Sequence, residues 1–487
     1  MTNYDQPIID ITNYIYNHPL DPSTPTTKSA LSAARTSLLD ALGCAIQTVS
    51  SSAEARNLIG PVVQGTHVPD GFRLPGTRYR LDPVKGAFDM GVLIRYLDFN
   101  DAMWGKEWGH PSDNIAAILS VSDWLSRTTK TNKHTGPPLT LQTLLIAITK
   151  AYEIQGIHQL HNAFNAHGID HVILVKLASA AICAWLLGLS QTQAMATISH
   201  VWMDGHPSRV YRSGSNTIPR KGWAAGDACM RAVHLALLVR AGQVGAGGAL
   251  SAVPYGFLER TFGKQGFVME RFGEWAVQNV LFKVMPVEGH GIAGVEAALV
   301  QGSRTRERGL SVEEDIVRIE VRATAAADVI INKKGVLRNA ADRDHCIQYV
   351  IAVALLKGSA PEVGDYADGS YWATSAVVDS LRERIEVRVD EGLTRDYLDL
   401  EKRSIGAGVT VYLRDGSVLD EVLLEYPIGH VRNPATGDAV REKFGRNMRG
   451  VFSDDEIEGI LEAVKMDNLR ISDFLDLFAR DAPESRL

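Results

Sequence analysis

Residues 94–114, IRYLDFNDAMWGKEWGHPSDN, crowd Asp98, Asp101, Glu107, His110 and Asp113 together with Asn100, Asn114, Trp104 and Trp108. Carboxylates and an imidazole this dense, between two apolar helix-like segments, are how a rigid scaffold commonly presents functional groups. The same residues also suit a capped loop, in which Pro111-Ser112-Asp113 satisfies the free N–H groups of the next helix. Two further places carry chemistry. His167 and His171 stand just before a long apolar helix, where a histidine more often caps or fills a core than catalyses. Residues 204–227 gather Arg209, Arg212, Arg220 and Lys221 with Tyr211 and Asn216 in a Gly/Ser-rich loop. Arginine forks and a following helix N-terminus suit carboxylate binding, although a solvated basic loop fits the same letters.

These groups need elements to hold them. Residues 7–17 and 25–49 predict two helices, the second with Leu31, Leu38, Leu39, Leu42 and Ile46 on one apolar stripe. Residues 82–94 predict a closely packed helix because Gly86, Ala87 and Gly91 are small, and it delivers the chain to the cluster. Residues 114–126 leave it as another helix. The polar run 127–140, ending in Gly-Pro-Pro, predicts a surface loop. Further helices follow at 139–157 and 172–189.

After about residue 265 the pattern changes. VRIEVRA (317–323) and RIEVRVD (384–390) alternate as half-buried strands do, and residues 409–426 predict a hairpin turning at Asp415-Gly416. Helices are expected at 289–302 and 343–356, so this part reads as helices with an antiparallel sheet. From Ser453 to Phe478 the pattern is helical again. The expected architecture is mainly α: a helical domain over 1–267, a smaller α+β lid over 268–404, and a segment 405–487 whose hairpin and helices return to the first domain.

At 487 residues the chain exceeds one small core, and 45% hydrophobic with 22% charged residues supports a sizeable interior rather than disorder. A net charge of −7 without a basic run argues against nucleic acid or an anionic membrane as partner. Cys44, Cys183, Cys229 and Cys346 are scattered without a C-x-x-C pair, as expected in a reducing compartment and against an iron–sulfur cluster. The acidic, arginine-free N-terminus resembles neither a transit peptide nor a signal peptide. Residues 172–189 approach membrane-span length, yet Lys176 and a mean hydropathy of −0.05 predict a buried helix and a cytoplasmic protein.

Several stretches match a known family in order and spacing: LDFND with EWGHPSDN (97–114), GIDHVILVKLAS (168–179), YR…NT…RK-x-WAAGDA (211–228), LFK (281–283) with VEAA (295–298), ADRDHCIQY (341–349) and EYPIGH (425–430). Along nearly its whole length the chain resembles the MmgE/PrpD family, in its 2-methylcitrate dehydratase branch. The resemblance implies a helical domain with a lid, a homodimer, and metal- and cofactor-independent loss of water from a small tricarboxylate. The family also includes cis-aconitate decarboxylases, so fold alone does not fix the reaction. A non-catalytic helical scaffold is the alternative of another class.

Dehydrating a citrate requires a base for the proton alpha to a carboxylate, an acid for the departing hydroxyl, and cations for three carboxylates. By resemblance, Asp98, His110, His171 and Lys283 fall in the catalytic pocket. His110 and His171 are expected as the acid/base pair, with Asp98 orienting a histidine. Lys283, Arg212 and Lys221 are expected to bind carboxylates, with Arg209, Asn216, His290, Asp344 and His345 around them. A lid-to-core contact explains Asp344 and His345 equally well. One departure concerns KVMPVEGHGIAGVEAAL (283–299), where Gly289, Gly291, Ile292 and Ala293 replace the family's aromatic and hydroxyl residues beside His290. The expectation drawn from it is a roomier, greasier pocket there, for a 2-alkylcitrate with a chain longer than methyl.

Overall fold

The structure is a computed structural model that describes residues 2–129, 134–212, 217–263 and 266–480. Two hydrophobic cores organise it. The first is built by helices. Pro25–Ser51 starts with proline in its first turn, and the Thr24 hydroxyl accepts from the Thr27 N–H. It buries Ala30, Leu31, Ala34, Leu38, Ala41 and Leu42. Pro83–Arg95 starts where the Asp82 carboxylate accepts from the N–H groups of Val84 and Lys85, satisfying two donors that no helical carbonyl reaches. A Cβ on Gly91 would lie 2.5 Å from the Gly226 Cα, so Pro83–Arg95 and Ala224–Arg240 touch backbone to backbone. That contact fixes where Arg95, the last residue of the first helix, stands.

Val172–Leu186 is enclosed by neighbouring helices, and no helix among the described residues is long and apolar enough to cross a membrane. The cluster at 94–114 departs from a plain loop. Met103–Trp104 pairs antiparallel with Trp108–Gly109, and a short 3-10 turn, Pro111–Asn114, leads into helix Ile115–Thr128. The capping by Pro111-Ser112-Asp113 takes another form: Asn114 Nδ2 donates to the Pro111 carbonyl at 3.0 Å and to Gln155 Oε1 at 2.6 Å.

The second core packs helices Ile292–Glu307 and Ile347–Lys357 against a sheet of four strands among the described residues. Its order is Ile385–Val389, Ile316–Ala323, Ala407–Leu413, Val418–Leu424. The expected antiparallel sheet is corrected to a mixed one, because Ile385–Val389 runs parallel to Ile316–Ala323. The chain between those two strands contains helices, and such a crossover allows parallel pairing that a tight turn does not. The hairpin turns at Asp415-Gly416, with Gly416 at φ 86°. It belongs to this sheet and not to the helical body.

From Thr436 the chain rejoins the first core, through Phe444, Met448, Ile460 and Phe474. Lys443 Nζ, 1% exposed, donates to Asp40 Oδ1 and the Phe99 carbonyl, both at 2.6 Å. The crossing between the cores is equally tight. Leu281 and Ala102 exchange backbone hydrogen bonds of 2.7 and 2.8 Å, and the Phe282 N–H donates to the Gly429 carbonyl at 2.9 Å. A Cβ on Gly429, whose φ is 107°, would lie 1.9 Å from the Phe282 oxygen, so the EYPIGH segment needs glycine there. The residue delivered next is Lys283.

Candidate active site

The centre of the site follows from a helix end. Just beyond Arg95 the chain turns at Asp98, a non-glycine residue at φ 51°, a strained conformation that tends to persist where the surroundings impose it. Asp98 Oδ1 is ion-paired with Arg95 Nη1 and lies 2.9 Å from Lys283 Nζ, which also donates to the Asp98 carbonyl at 2.9 Å. Lys283 is fully buried. Burial alone would raise the Asp98 pKa, but Arg95, Lys283 and Lys221 outweigh it and hold the carboxyl well below the usual range. Asp98 Oδ2 has no hydrogen-bond partner among the described residues, and lies 3.6 Å from His345 Nε2 and 4.0 Å from Lys221 Nζ.

Arg95 also reaches the first histidine, with Nη2 2.9 Å from His110 Nε2. On the other side of that ring, Nδ1 lies 2.7 Å from the Asp101 carbonyl. An acceptor on one nitrogen and a donor on the other fix a neutral tautomer, Nδ1–H with an Nε2 lone pair. Burial, Arg95 and Lys283 keep the His110 pKa well below its ordinary value, with Asp98 opposing. Asp101 is fixed in turn, since Tyr152 Oη donates to its Oδ2 at 2.7 Å and the Ser112 N–H to its Oδ1 at 3.1 Å. Burial raises Asp101 to about 6.

His171 is different. Its ring centre lies 5.6 Å from that of His110, yet neither ring nitrogen has a hydrogen-bond partner among the described residues. Asp170 Oδ1 is 3.4 Å from its Nδ1, while Asp170 Oδ2 accepts from Arg212 Nε at 2.6 Å. Burial lowers the His171 pKa well below its ordinary value; Asp170 opposes this, and Arg212, Arg209 and Arg95 add to it. A buried neutral imidazole with open nitrogens is equipped to take a proton.

The second core contributes the third group. Lys221 Nζ lies 2.8 and 3.0 Å from the two Asp344 oxygens and 3.0 Å from His345 Nδ1, which is itself 2.5 Å from Asp344 Oδ1. Burial lowers the Lys221 pKa against the pull of Asp344 and Asp98. Burial and Lys221 lower that of His345, with Asp344 opposing. Tyr366 Oη is buried and without a hydrogen-bond partner among the described residues; burial and Asp344 keep it protonated. Asp98, Asp344 and His345 each place one ligand atom within 4.8 Å of the others. Lys221, Lys283 and Arg95 already supply the positive charge there, so this donor set does not call for a metal ion.

His290 sits behind these groups. Its Nδ1 is 3.1 Å from both Glu288 oxygens, its Nε2 3.2 Å from Tyr397 Oη, and its ring 4.2 Å from that of Trp108. Although burial raises Glu288, His290 outweighs it and brings the carboxyl down to about 2. The roomier pocket expected here is corrected. A Cβ on Gly289 would lie 2.7 Å from two Trp108 ring carbons, and one on Gly291 3.0 Å from Val287 Cγ1. Beside Gly289 the space is taken by the Trp108 indole, which arrives from far away in the chain, and beside Gly291 it is taken by Val287.

Of the residues singled out by sequence, the fold therefore gathers Asp98, His110, His171, Lys221, Lys283, Asp344 and His345. Asp98 does not touch His110, because Arg95 intervenes; the histidine its free oxygen faces is His345. Lys283 and Arg212 are engaged with Asp98 and Asp170. Arg209 stands at the edge, 3.8 Å from Glu107 Oε1. Asn216 lies outside the described residues. Sequence reading placed Asp101 in the cluster without a role, and passed over Arg95, Asp170 and Tyr366. Arg95 had a signal, a cation three residues before Asp98 at a helix end, and Asp170 had another, its adjacency to His171. Tyr366 had none.

Paired neutral imidazoles ringed by cations and ion-paired carboxylates, set between a helical body and an α+β body, define an enzyme built for acid–base chemistry on a small anion. The chain matches the MmgE/PrpD N-terminal domain over residues 9–270 and the MmgE/PrpD C-terminal domain over residues 285–467. It belongs to the MmgE/PrpD family. It is 61% identical to the alkylcitrate dehydratase phiI of a fungal species (Fungal sp.), covering 98% of this chain and 94% of that protein. It is 54% identical to the alkylcitrate dehydratase phiI of Talaromyces stipitatus, and 42% identical to the 2-methylcitrate dehydratase of Salmonella typhimurium, covering 98% of both chains in each case.

Proposed function

We propose that this chain is a carbon–oxygen lyase that dehydrates 2-methylcitrate or a related 2-alkylcitrate to the corresponding alkyl-cis-aconitate. The observation that carries the reading is His171: a buried, neutral imidazole with both nitrogens open, beside His110 and within a ring of cations. Its relatives bear the names of dehydratases of these two substrates.

In this reading His171 takes the proton alpha to a carboxylate, and the C–H electron pair becomes the new double bond. The neighbouring C–O bond breaks, and the hydroxide leaves as water after taking a proton from the Lys221–His345 pair. Lys221 and His345 are suited to this because burial eases loss of their protons. Arg212, beyond its bond to Asp170, has Nη2 without a hydrogen-bond partner among the described residues and can receive a substrate carboxylate; Arg209 Nη1 also lacks a hydrogen bond there, but is 3.8 Å from Glu107 Oε1 and so is the weaker carboxylate binder. His110 moves from the expected acid/base pair to a positioning role, since Arg95 and the Asp101 carbonyl occupy its two nitrogens. Lys283 likewise acts through Asp98.

The same reading makes the enzyme a cytoplasmic homodimer, in line with four buried, unpaired cysteines and with the family resemblance. Molar mass in solution and a fluorescent fusion test those two points. The reaction is tested by incubating the purified protein with 2-methylcitrate and 2-hexylcitrate, following the new conjugated double bond by ultraviolet absorbance and the products by mass. Loss of one water supports the reading; release of carbon dioxide from cis-aconitate instead would make the enzyme a decarboxylase.

A further inference from the structure

Open space adjoins the Asp98 network where Lys221 meets Asp344. A cavity of about 550 Å³ runs between the two cores, within the range of small-molecule sites. Lys221, Asp344 and Tyr366 form its inner end, and all three are buried. Leu97, Pro286 and Val363 are among its walls, joined by the ring of Tyr96 and the small side chain of Ala341. Its charged residues outside the inner end, Glu54 and Asp368, are exposed at the rim. Such a cavity has the polarity of an amphiphile: ionic and hydrogen-bonding groups at the bottom, hydrocarbon walls above them, water at the mouth.

We propose that this cavity holds the alkyl chain of a 2-alkylcitrate, with the hydroxyl-bearing head at the Lys221 end and the chain running outward between Leu97 and Val363. The proposal rests on the dehydratase reading and adds where chain length is sensed. A methyl group leaves most of the wall in contact with water, whereas each further methylene laid on an apolar wall strengthens binding about fourfold. Room for the chain is visible at Gly364, where a Cβ would meet nothing within 4 Å and the backbone is not left-handed. The 289–293 segment offers no comparable space, because Trp108 and Val287 fill it.

The test is the ratio of kcat/KM for 2-hexylcitrate to that for 2-methylcitrate in the wild type, Gly364→Phe and Ala341→Leu, with thermal melting to show that each variant is folded. The expected result is a wild-type ratio above one and a fall of at least tenfold in each folded variant. Ala341→Leu, the smaller change, carries the test if Gly364→Phe fails to fold. An active wild type whose ratio is below one, or whose ratio falls less than tenfold in the folded variants, overturns the cavity assignment and leaves the dehydratase reading standing. A wild type that dehydrates neither citrate overturns both.

Discussion

Arg95 and His110 meet through Nη2 and Nε2 at 2.9 Å, while the other amine of the same guanidinium is ion-paired with Asp98. One planar fork thereby couples the strained turn at Asp98 to the tautomer of a histidine fifteen residues from Arg95 in the chain. Lysine cannot make both contacts, because it is a single point charge. Arg95→Lys is expected to lower kcat at least tenfold, with Arg95→Met worse. Breaking the buried pair with Asp98 should also cost about 3–5 kcal/mol of stability, read by urea unfolding. An Arg95→Lys enzyme with unchanged kcat would show that the coupling has no part in turnover.

The two histidines should separate in mutagenesis. His171→Leu removes the base and is expected to reduce kcat by about 10²–10⁴. It should leave the melting temperature unchanged or higher, since no hydrogen bond to a described residue is lost and two unsatisfied nitrogens are removed. His110→Leu strands an Arg95 donor in the interior and should cost about 1–3 kcal/mol as well as activity. Equal thermal losses in the two variants would contradict these assignments.

Acid should affect activity and stability through the same groups. Burial holds His110 and His171 below the ordinary 6.5, so their neutral forms survive as the pH drops through that value. The acid limb of kcat/KM is therefore expected below pH 6.5, and a limb at 7 or above would exclude His171 as the base. Stability has its own sign. The unfolded chain takes up protons near 6.5 and the folded chain does not, so the histidine contribution is complete above that pH and declines as the pH falls beneath it. Urea midpoints measured between pH 8 and 5 check the slope.

Gly289 is fixed by its neighbour. Gly289→Ala places a Cβ 2.7 Å from the Trp108 ring, and the overpacking should cost about 1–3 kcal/mol. Calorimetric melting reads that loss. Displacing Trp108 would also shift its tilted ring contact with His290, which tryptophan fluorescence reports; a variant as stable as wild type would mean the segment is roomier than this geometry.

Lys443 ties helix Thr436–Met448 to helix Pro25–Ser51 through Asp40 and to the site loop through the Phe99 carbonyl. Lys443→Met leaves Asp40 buried and unpaired, at an expected cost of about 3–5 kcal/mol. The double variant Asp40→Leu with Lys443→Met should recover much of it, because apolar replacement of both partners removes the stranded charge. Failure of the double variant to recover would assign the loss to the Phe99 contact.

Much of this protein was decided locally and was therefore legible in its letters. Asp82 before Pro83, Thr24 before Pro25 and the turn at Asp415-Gly416 set element boundaries through nearest-neighbour chemistry, which depends on a few adjacent residues. The density of Asp98, Asp101, Glu107, His110 and Asp113 within 94–114 was legible as a candidate site, and His171 joined it only through the ordered motifs of the MmgE/PrpD family.

Tertiary structure decided what those residues do, because the contacts that assign a role join positions far apart in the chain. Lys283 reaches Asp98 across 185 positions and Lys221 reaches Asp344 across 123, so their spending on carboxylates was invisible in sequence. The glycines beside His290 read as space until Trp108 was seen filling it. The parallel strand at 385–389 likewise depended on a crossover, and the cavity between Leu97 and Val363 belongs to neither core alone. Composition and spacing fix which groups are available, whereas burial and charge pairing set their protonation, and these exist only once the two bodies have closed on each other.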